Sequence, residues 1–104
     1  MATYNTTYIE KWIGYLNDID REMCRLAAEK LGMTGDPQVV PHLVKALKNR
    51  PDDVRIAAIR ALGLIGDAEA VRPLVDMLHD QNPLVASTAA ESLGEIGHSS
   101  AVPA

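Results

Sequence analysis

The chain has 104 residues, 47% of them hydrophobic, and a formal net charge of −4 at pH 7. This length suits one small domain, and the acidic balance disfavours a protein dedicated to nucleic acid or to an anionic membrane surface. The single cysteine excludes an intrachain disulfide, and the chain has neither a basic leader nor a run of 18 apolar residues. We therefore expect a cytoplasmic protein with no membrane span.

Residues 4–34 form the first predicted unit and contain two helical patterns. In the first pattern, Ile9, Trp12, Ile13 and Leu16 recur at helical spacing, and Asp20 can cap the helix that follows. All the aromatic residues lie within the first 15 positions of the chain: Tyr4, Tyr8, Trp12 and Tyr15. Their large rings predict a cap over the first unit, and a secondary aromatic binding patch is the alternative.

Residues 35–65 and 66–96 match position by position at an offset of 31 and form the second and third predicted units. Eleven positions are identical, and all but the aspartates are apolar or glycine: Gly35/Gly66, Asp36/Asp67, Val40/Val71, Leu43/Leu74, Val44/Val75, Leu47/Leu78, Val54/Val85, Ala58/Ala89, Leu62/Leu93, Gly63/Gly94 and Ile65/Ile96. Such a repeat preserves packing and leaves solvent-facing positions free to differ. We predict one domain over residues 1–104, with the start of a fourth unit at 97–104.

Each unit contains two predicted helices, which we call A and B. In the third unit Asn82 is the predicted N-cap of the B helix and Pro83 its first residue, whereas Pro51 in the second unit cannot cap with its side chain. The left-handed residues that end the three B helices are predicted to be glycines, and an aspartate after two of them can cap the next helix: Gly35, Gly66 and Gly97, with Asp36 and Asp67.

Three glycines inside the predicted B helices each cost about 1 kcal/mol relative to alanine: Gly32, Gly63 and Gly94. A cost repeated in every unit predicts close approach of a neighbouring helix, here of the A and B helices to each other. At the end of the third unit, four apolar residues are predicted to form an exposed face: Val85, Ala89, Leu93 and Ile96. Such a face predicts self-association or continuation of the chain in a longer polypeptide.

The second unit carries the pattern Gly-Asp-x-x-x-Val-Pro-x-Leu-x-x-x-Leu, followed by Val-Arg-x-Ala-Ala-x-x-Ala-Leu-Gly-x-Ile-Gly-Asp. The matching residues are Gly35, Asp36, Val40, Pro41, Leu43, Leu47, Val54, Arg55, Ala57, Ala58, Ala61, Leu62, Gly63, Ile65, Gly66 and Asp67. This pattern resembles the short HEAT-like repeat of the phycobilisome lyases. The resemblance implies an all-α solenoid, an alpha-alpha superhelix of antiparallel helix pairs with 31-residue repeats.

The same repeat occurs in phycobilin lyase subunits, in deoxyhypusine hydroxylase and in interaction scaffolds, so the resemblance leaves function open. The hydroxylase would imply a di-iron site held by His-Glu pairs at the B-helix ends. In this chain the residues after the three histidines are not glutamate: His42-Leu43, His79-Asp80 and His98-Ser99. We therefore predict no catalytic residue, no metal site and no cofactor.

In HEAT-type stacks the B helices line the concave side, and the resemblance therefore implies that a protein partner binds there. The middle unit differs from its neighbours at the predicted partner-binding residues Arg55, Ile56, Ile59 and Arg60, an apolar centre edged by arginine. Packing of the two isoleucines against the adjacent unit is the alternative. The sequence predicts a non-enzymatic protein-binding scaffold or adaptor. The alternative is a phycobilin lyase-type subunit or chaperone that handles a bilin and a phycobiliprotein.

Overall fold

A computed structural model describes the backbone of residues 4–101 and the side chains of residues 4–97. All regular structure in this part of the chain is helical, as predicted. The α-helices are α1 (Thr6–Leu16), α2 (Arg21–Thr34), α3 (Val40–Lys45), α4 (Asp52–Ile65), α5 (Val71–Met77) and α6 (Pro83–Ala101). Short 3₁₀ helices at Pro37–Val39 and Ala68–Ala70 lead into α3 and α5. The predicted A helices correspond to α1, α3 and α5, and the B helices to α2, α4 and α6.

The B helices α2 and α6 begin after the caps that the sequence predicts, whereas Asp36 and Asp67 cap the short 3₁₀ helices before α3 and α5. The side chain of Asp20 accepts hydrogen bonds from the first turn of α2, and the Asn82 side chain accepts one from the amide of Leu84 at 2.9 Å. Pro51 precedes α4 without a side-chain cap, and the carboxylates of Asp52 and Asp53 lie in the first turn, where they oppose the helix dipole.

Two of the three predicted helix ends are confirmed, and one is wrong. Gly35 and Gly66 follow α2 and α4 in the left-handed conformation, with φ of 64° and 74°. Gly97, in contrast, lies inside α6, which continues to Ala101. Gly35 and Gly66 are each followed by an aspartate that caps a new helix, and no aspartate follows Gly97 in the sequence. The rest of the predicted fourth unit, residues 102–104, lies outside the described residues.

The helices form two layers. In one layer α2 packs against α4 and α4 against α6, and in the other α1, α3 and α5 each cover the B helix of their own unit. One core runs through both layers, and its largest fully buried side chains include Leu31, Leu43, Leu62 and Leu74. Burial of each leucine stabilises the fold by roughly 1.5–3 kcal/mol.

Successive B helices approach each other closely at the glycines. A Cβ on Gly32 would lie 2.7 Å from the Cβ of Ala61, and a Cβ on Gly63 would lie 2.7 Å from the Oγ of Ser92. Close approach was the predicted reason for these glycines, but the helix that approaches is the next B helix, not the A helix of the same unit. The glycines therefore set the spacing between units.

The sequence predicted an exposed apolar face at the end of the third unit, but most of the residues assigned to it are buried. Val85 and Ala89 are 0% exposed, Ile96 is 1% exposed, and Leu93 is half-buried. These side chains are covered because α6 packs against both α4 and α5, which together enclose its apolar face. The apolar surface that this unit does expose is formed by other positions.

Candidate partner-binding groove

Arg55 was predicted to face a partner, but its side chain instead forms ion pairs that link the second unit to the third. We call this set of ion pairs the Arg55 brace. Its side chain is only 15% exposed, and its guanidinium donates to Asp52 Oδ1 and to Asp80 Oδ1, each at 2.6 Å. Hydrogen bonds from Arg55 hold the pKa of both carboxyls below the usual value, and the two carboxylates raise the pKa of the guanidinium. Asp80 lies in the turn before α6, so this network joins α4 to the third unit.

Ile59 is also misassigned as a partner-binding residue. It is 0% exposed and belongs to the core. Its equivalent in the first unit, Ala28, is likewise 0% exposed. Both positions are covered because they lie on the side of the B helix that packs against the following unit. The alternative interpretation of Ile59, packing against the adjacent unit, is the correct one.

Ile56 and Arg60, the other two predicted residues, line a groove across the B helices. Ile56 is half-buried against the core, whereas Arg60 is exposed. The groove has a volume of about 480 Å³. We call it the B-helix groove, and its lining residues come from α2, α4 and α6: Arg25, Glu29, Met33, Asp53, Ile56, Ala57, Arg60, Ala61, Leu64 and Leu84.

Three large apolar side chains stand exposed along this groove. Met33 is 61% exposed, Leu64 63% and Leu84 55%, one from each B helix. None of the three was predicted from the sequence as a site residue. A signal was available for Leu64, because it lies off the helical stripe of core residues in α4 and is apolar without a packing role. Met33 occupies the equivalent position in α2.

The groove also contains charged side chains. The Arg25 guanidinium donates to a Glu29 carboxylate oxygen at 2.7 Å, a pair one turn apart on α2. Arg60 and Leu64 also line an adjoining recess of about 460 Å³, where α6 contributes Glu91 and Glu95. The apolar side chains therefore share the groove with an ion pair, and two carboxylates line the adjoining recess.

Comparison with known proteins identifies the family. A family model described as HEAT repeats matches residues 40–104, more than half of the chain. The chain belongs to the HEAT-repeat family. A second model, the PBS lyase HEAT-like repeat, matches residues 24–49. Among the curated proteins, none matches the chain significantly.

A solved structure of human deoxyhypusine hydroxylase in complex with glycerol is similar to this HEAT-repeat chain. The TM-score is 0.85 and the sequence identity 25%, over 97% of this chain. The chain spans only 37% of that hydroxylase chain. The likeness therefore supports the helical-repeat fold, and the neighbour itself is an enzyme.

Within the described part of this chain, no three His, Cys, Asp or Glu side chains are grouped so that they could hold a metal ion.

The predicted aromatic patch forms a ladder along α1. The ring centroids of Tyr4 and Tyr8 are 4.9 Å apart, those of Tyr8 and Trp12 6.3 Å, and those of Trp12 and Tyr15 5.4 Å. All four rings are half-buried and pack against the core of the HEAT stack. This arrangement favours the cap interpretation of the aromatic residues, while partner binding by them stays a prediction.

Over residues 4–101, no helix is both long and apolar enough to cross a membrane.

Proposed function

We propose that this HEAT-repeat chain is a non-enzymatic scaffold that binds a protein partner in the B-helix groove. The observation that carries the proposal is the exposure of Met33, Leu64 and Leu84, each more than half exposed, around one groove. Contiguous exposed apolar side chains with a polar rim are typical of interaction sites in soluble proteins. Ile56 and Arg60 are the two partner-binding residues that we retain from the sequence prediction, and Arg55 and Ile59 are withdrawn.

The form of the groove favours a protein segment over a compact small molecule. Its apolar residues come from the three B helices, so an occupant has to cross α2, α4 and α6 to contact all of them. Deep, mostly enclosed pockets are typical of small-molecule sites, whereas an apolar groove with charged side chains is typical of peptide and helix recognition. The apolar side chains would supply most of the binding energy, and Arg60, Glu91 and Glu95 would select the partner by charge.

Matched variants test this proposal. The unmodified chain, Leu64→Glu and Ile19→Glu are each immobilised, and the proteins that they retain from cell extract are compared by quantitative mass spectrometry. Ile19 is the control because it is 101% exposed but lies in a turn outside the groove. A partner of the groove is retained by the unmodified chain and by Ile19→Glu and is lost with Leu64→Glu.

The affinity is then measured by calorimetry with the purified partner. Leu64→Glu is expected to weaken binding roughly 10-fold or more, because it buries a carboxylate among the apolar side chains of the groove, with no change in thermal midpoint. Equal retention by the unmodified chain and by Leu64→Glu would contradict a role for the groove. Loss of the same partner with Ile19→Glu would show that the groove is not the selective feature.

A second candidate function is bilin handling, and the match of residues 24–49 to the PBS lyase HEAT-like repeat is the observation that favours it. In this case the chain would act as a lyase-type subunit or chaperone for a bilin and a phycobiliprotein. The test is absorbance titration of a linear tetrapyrrole with the chain and with Leu64→Glu. A red shift or sharpening of the visible band that Leu64→Glu abolishes would favour the bilin role, whereas an unchanged spectrum would leave protein binding as the function.

A further inference from the structure

The charged side chains of the B-helix groove differ in whether the chain itself pairs them. On α2, Arg25 donates to Glu29 at 2.7 Å, and on α4 Asp53 accepts from Arg21 at 2.8 Å. Three charged side chains of the groove and its adjoining recess form no ion pair with another described residue: Arg60, Glu91 and Glu95. The charge that remains for a partner is therefore positive on α4 and negative on α6.

The unpaired charges lie in two rows of equivalent repeat positions that cross the B helices. The first row is Glu29, Arg60 and Glu91, and the second is Met33, Leu64 and Glu95, with every member exposed. From α2 to α6, the first row reads acidic, basic, acidic, and the second reads apolar, apolar, acidic. Axes of packed helices are about 8–10 Å apart, so successive members of a row are separated by roughly this distance.

The carboxylate of Glu95 reaches back from α6 to the middle helix. A Cβ on Gly63 would lie 2.8 Å from Glu95 Oε1, and Gly63 directly precedes the exposed Leu64. Leu64, Glu91 and Glu95 line the same recess. A segment that covers Leu64 and continues towards α6 therefore meets negative charge immediately after the apolar contact.

We infer that the partner of the B-helix groove is a segment that presents apolar, acidic and basic side chains in that spatial order. Its apolar side chain contacts Met33 on α2, and its acidic side chain pairs with Arg60 on α4. Its basic side chain pairs with Glu91 and Glu95 on α6. This inference rests on the proposed function of the groove and adds the sign and the order of the partner's charges.

The spacing of the helices also limits the spacing of the partner's charges. In a polyproline II segment, which rises about 3.1 Å per residue with three residues per turn, the acidic and basic residues are about three positions apart. In an α-helix, which rises about 1.5 Å per residue, they are about seven apart. A segment with the two charges exchanged meets like charges on both helices, so the charges fix the direction in which the partner crosses the stack.

A charge exchange in the groove tests this inference. The triple variant combines Arg60→Glu, Glu91→Arg and Glu95→Gln, which makes α4 negative and α6 positive at exposed positions. Glu10→Gln is the control, because it changes the net charge by the same amount at an exposed position of α1 outside the groove. The probe is a phage-displayed library of random peptides about 16 residues long, which as a helix are long enough to cross three packed helices.

The library is selected in parallel on the unmodified chain, the triple variant, Glu10→Gln and Leu64→Glu. Peptides that bind the unmodified chain but not Leu64→Glu should carry apolar, acidic and basic residues in that order. Those selected on Glu10→Gln should carry the same order, and those selected on the triple variant should have the acidic and basic residues exchanged.

Fluorescence anisotropy then measures the affinity of one selected peptide and of the same peptide with its acidic and basic residues exchanged. The unmodified chain should bind the exchanged peptide roughly 10-fold more weakly, because two attractive contacts become repulsive. This comparison needs no variant of the protein. The triple variant should reverse the preference, and its binding of the exchanged peptide would also show that it is folded.

Two outcomes separate this inference from the proposed function. Peptides that depend on Leu64 but show no charge order, or keep one order on the triple variant, would overturn the inference and leave the groove as a protein-binding site. Equal affinity of the unmodified chain for the selected and exchanged peptides would overturn it in the same way. If no selected peptide depends on Leu64, the proposed function is overturned and the inference with it.

Discussion

The B helices have a stacking face and a groove face, and the two follow different rules from unit to unit. On the stacking face, Ala27, Ala58 and Ala89 are identical and all 0% exposed. On the groove face the equivalent residues of the same helices differ in type, as Met33 and Leu64 are apolar and Glu95 is acidic. Contacts between units constrain the first face, because any change there alters a packed layer. The second face is more exposed, with Leu64 at 63% against 0% for Leu62, so packing constrains its residue types less.

Leucine truncation on the two faces of α4 is the strongest test of this difference. Leu62 is 0% exposed and Leu64 63% exposed, two positions apart on one helix. Leu62→Ala should lower the free energy of unfolding by roughly 2–5 kcal/mol, because a cavity remains between units. Leu64→Ala should change it by at most about 0.5 kcal/mol. Urea denaturation measures both values, and a loss below about 1 kcal/mol for Leu62→Ala would contradict the assignment of the stacking face.

A glycine comparison tests the spacing between the units. Gly32→Ala should destabilise the fold by about 1–2 kcal/mol, because the new Cβ would lie 2.8 Å from the Cα of Ala61, a backbone atom. Gly14→Ala is the matched control, since a Cβ there would have no atom of the described residues within 4 Å apart from the backbone of α1 itself. The control should stabilise by up to about 1 kcal/mol through helix propensity. Equal changes in denaturation midpoint for the two variants would show that Gly32 does not set the spacing.

The helix ends and the repeat could be predicted because they depend on local sequence. The side chains of Asp20 and Asn82 accept hydrogen bonds from backbone amides only two residues later in the chain. Gly35 adopts the left-handed conformation, which glycine favours intrinsically. The side of each helix that meets the next unit could not be predicted in the same way. Ile59 is apolar whether it meets a partner or the next unit, and only the direction of stacking decides which.

The sequence places Leu64 off the core stripe of α4, but its grouping with Met33 and Leu84 in one groove depends on the same non-local information. Leu64 and Ile65 are adjacent apolar residues, and their different exposure follows from how α4 is turned between α2 and α6. Arg55 was predicted as a surface cation because its partner Asp80 is 25 residues away in sequence, and neither residue alone indicates the pair.

The Arg55 brace gives a smaller effect that depends on pH. The folded-state pKa of Asp52 and Asp80 lies below the unfolded value, so their contribution to stability is complete above about pH 4 and is lost as the pH falls through the folded-state pKa. Arg55→Met should therefore make the thermal midpoint fall less steeply as the pH is lowered below about 4. Arg60→Met, which removes an arginine that forms no ion pair with a described residue, should keep the decline of the unmodified chain. Parallel curves for all three proteins would contradict the brace.

The smallest expected effect on stability belongs to the groove, where the effect on binding should be largest. Arg60→Glu should change the free energy of unfolding by at most about 0.5 kcal/mol, because its side chain is exposed and outside the core. The same substitution should weaken the binding free energy of a partner that is selected by charge by about 1–3 kcal/mol. A large loss of stability measured by urea denaturation would show that Arg60 has a structural role instead.

The most direct test of the central claim is an NMR titration of the isotope-labelled chain with the captured partner. Binding in the B-helix groove predicts methyl shifts at Met33, Leu64 and Leu84, and no change at Val71 or Val75 of α5. The aromatic signals of the α1 ladder should also stay in place. Shifts confined to the α1 ladder or to α5, with the methyl signals of Met33, Leu64 and Leu84 unchanged at saturation, would contradict the groove as the binding site.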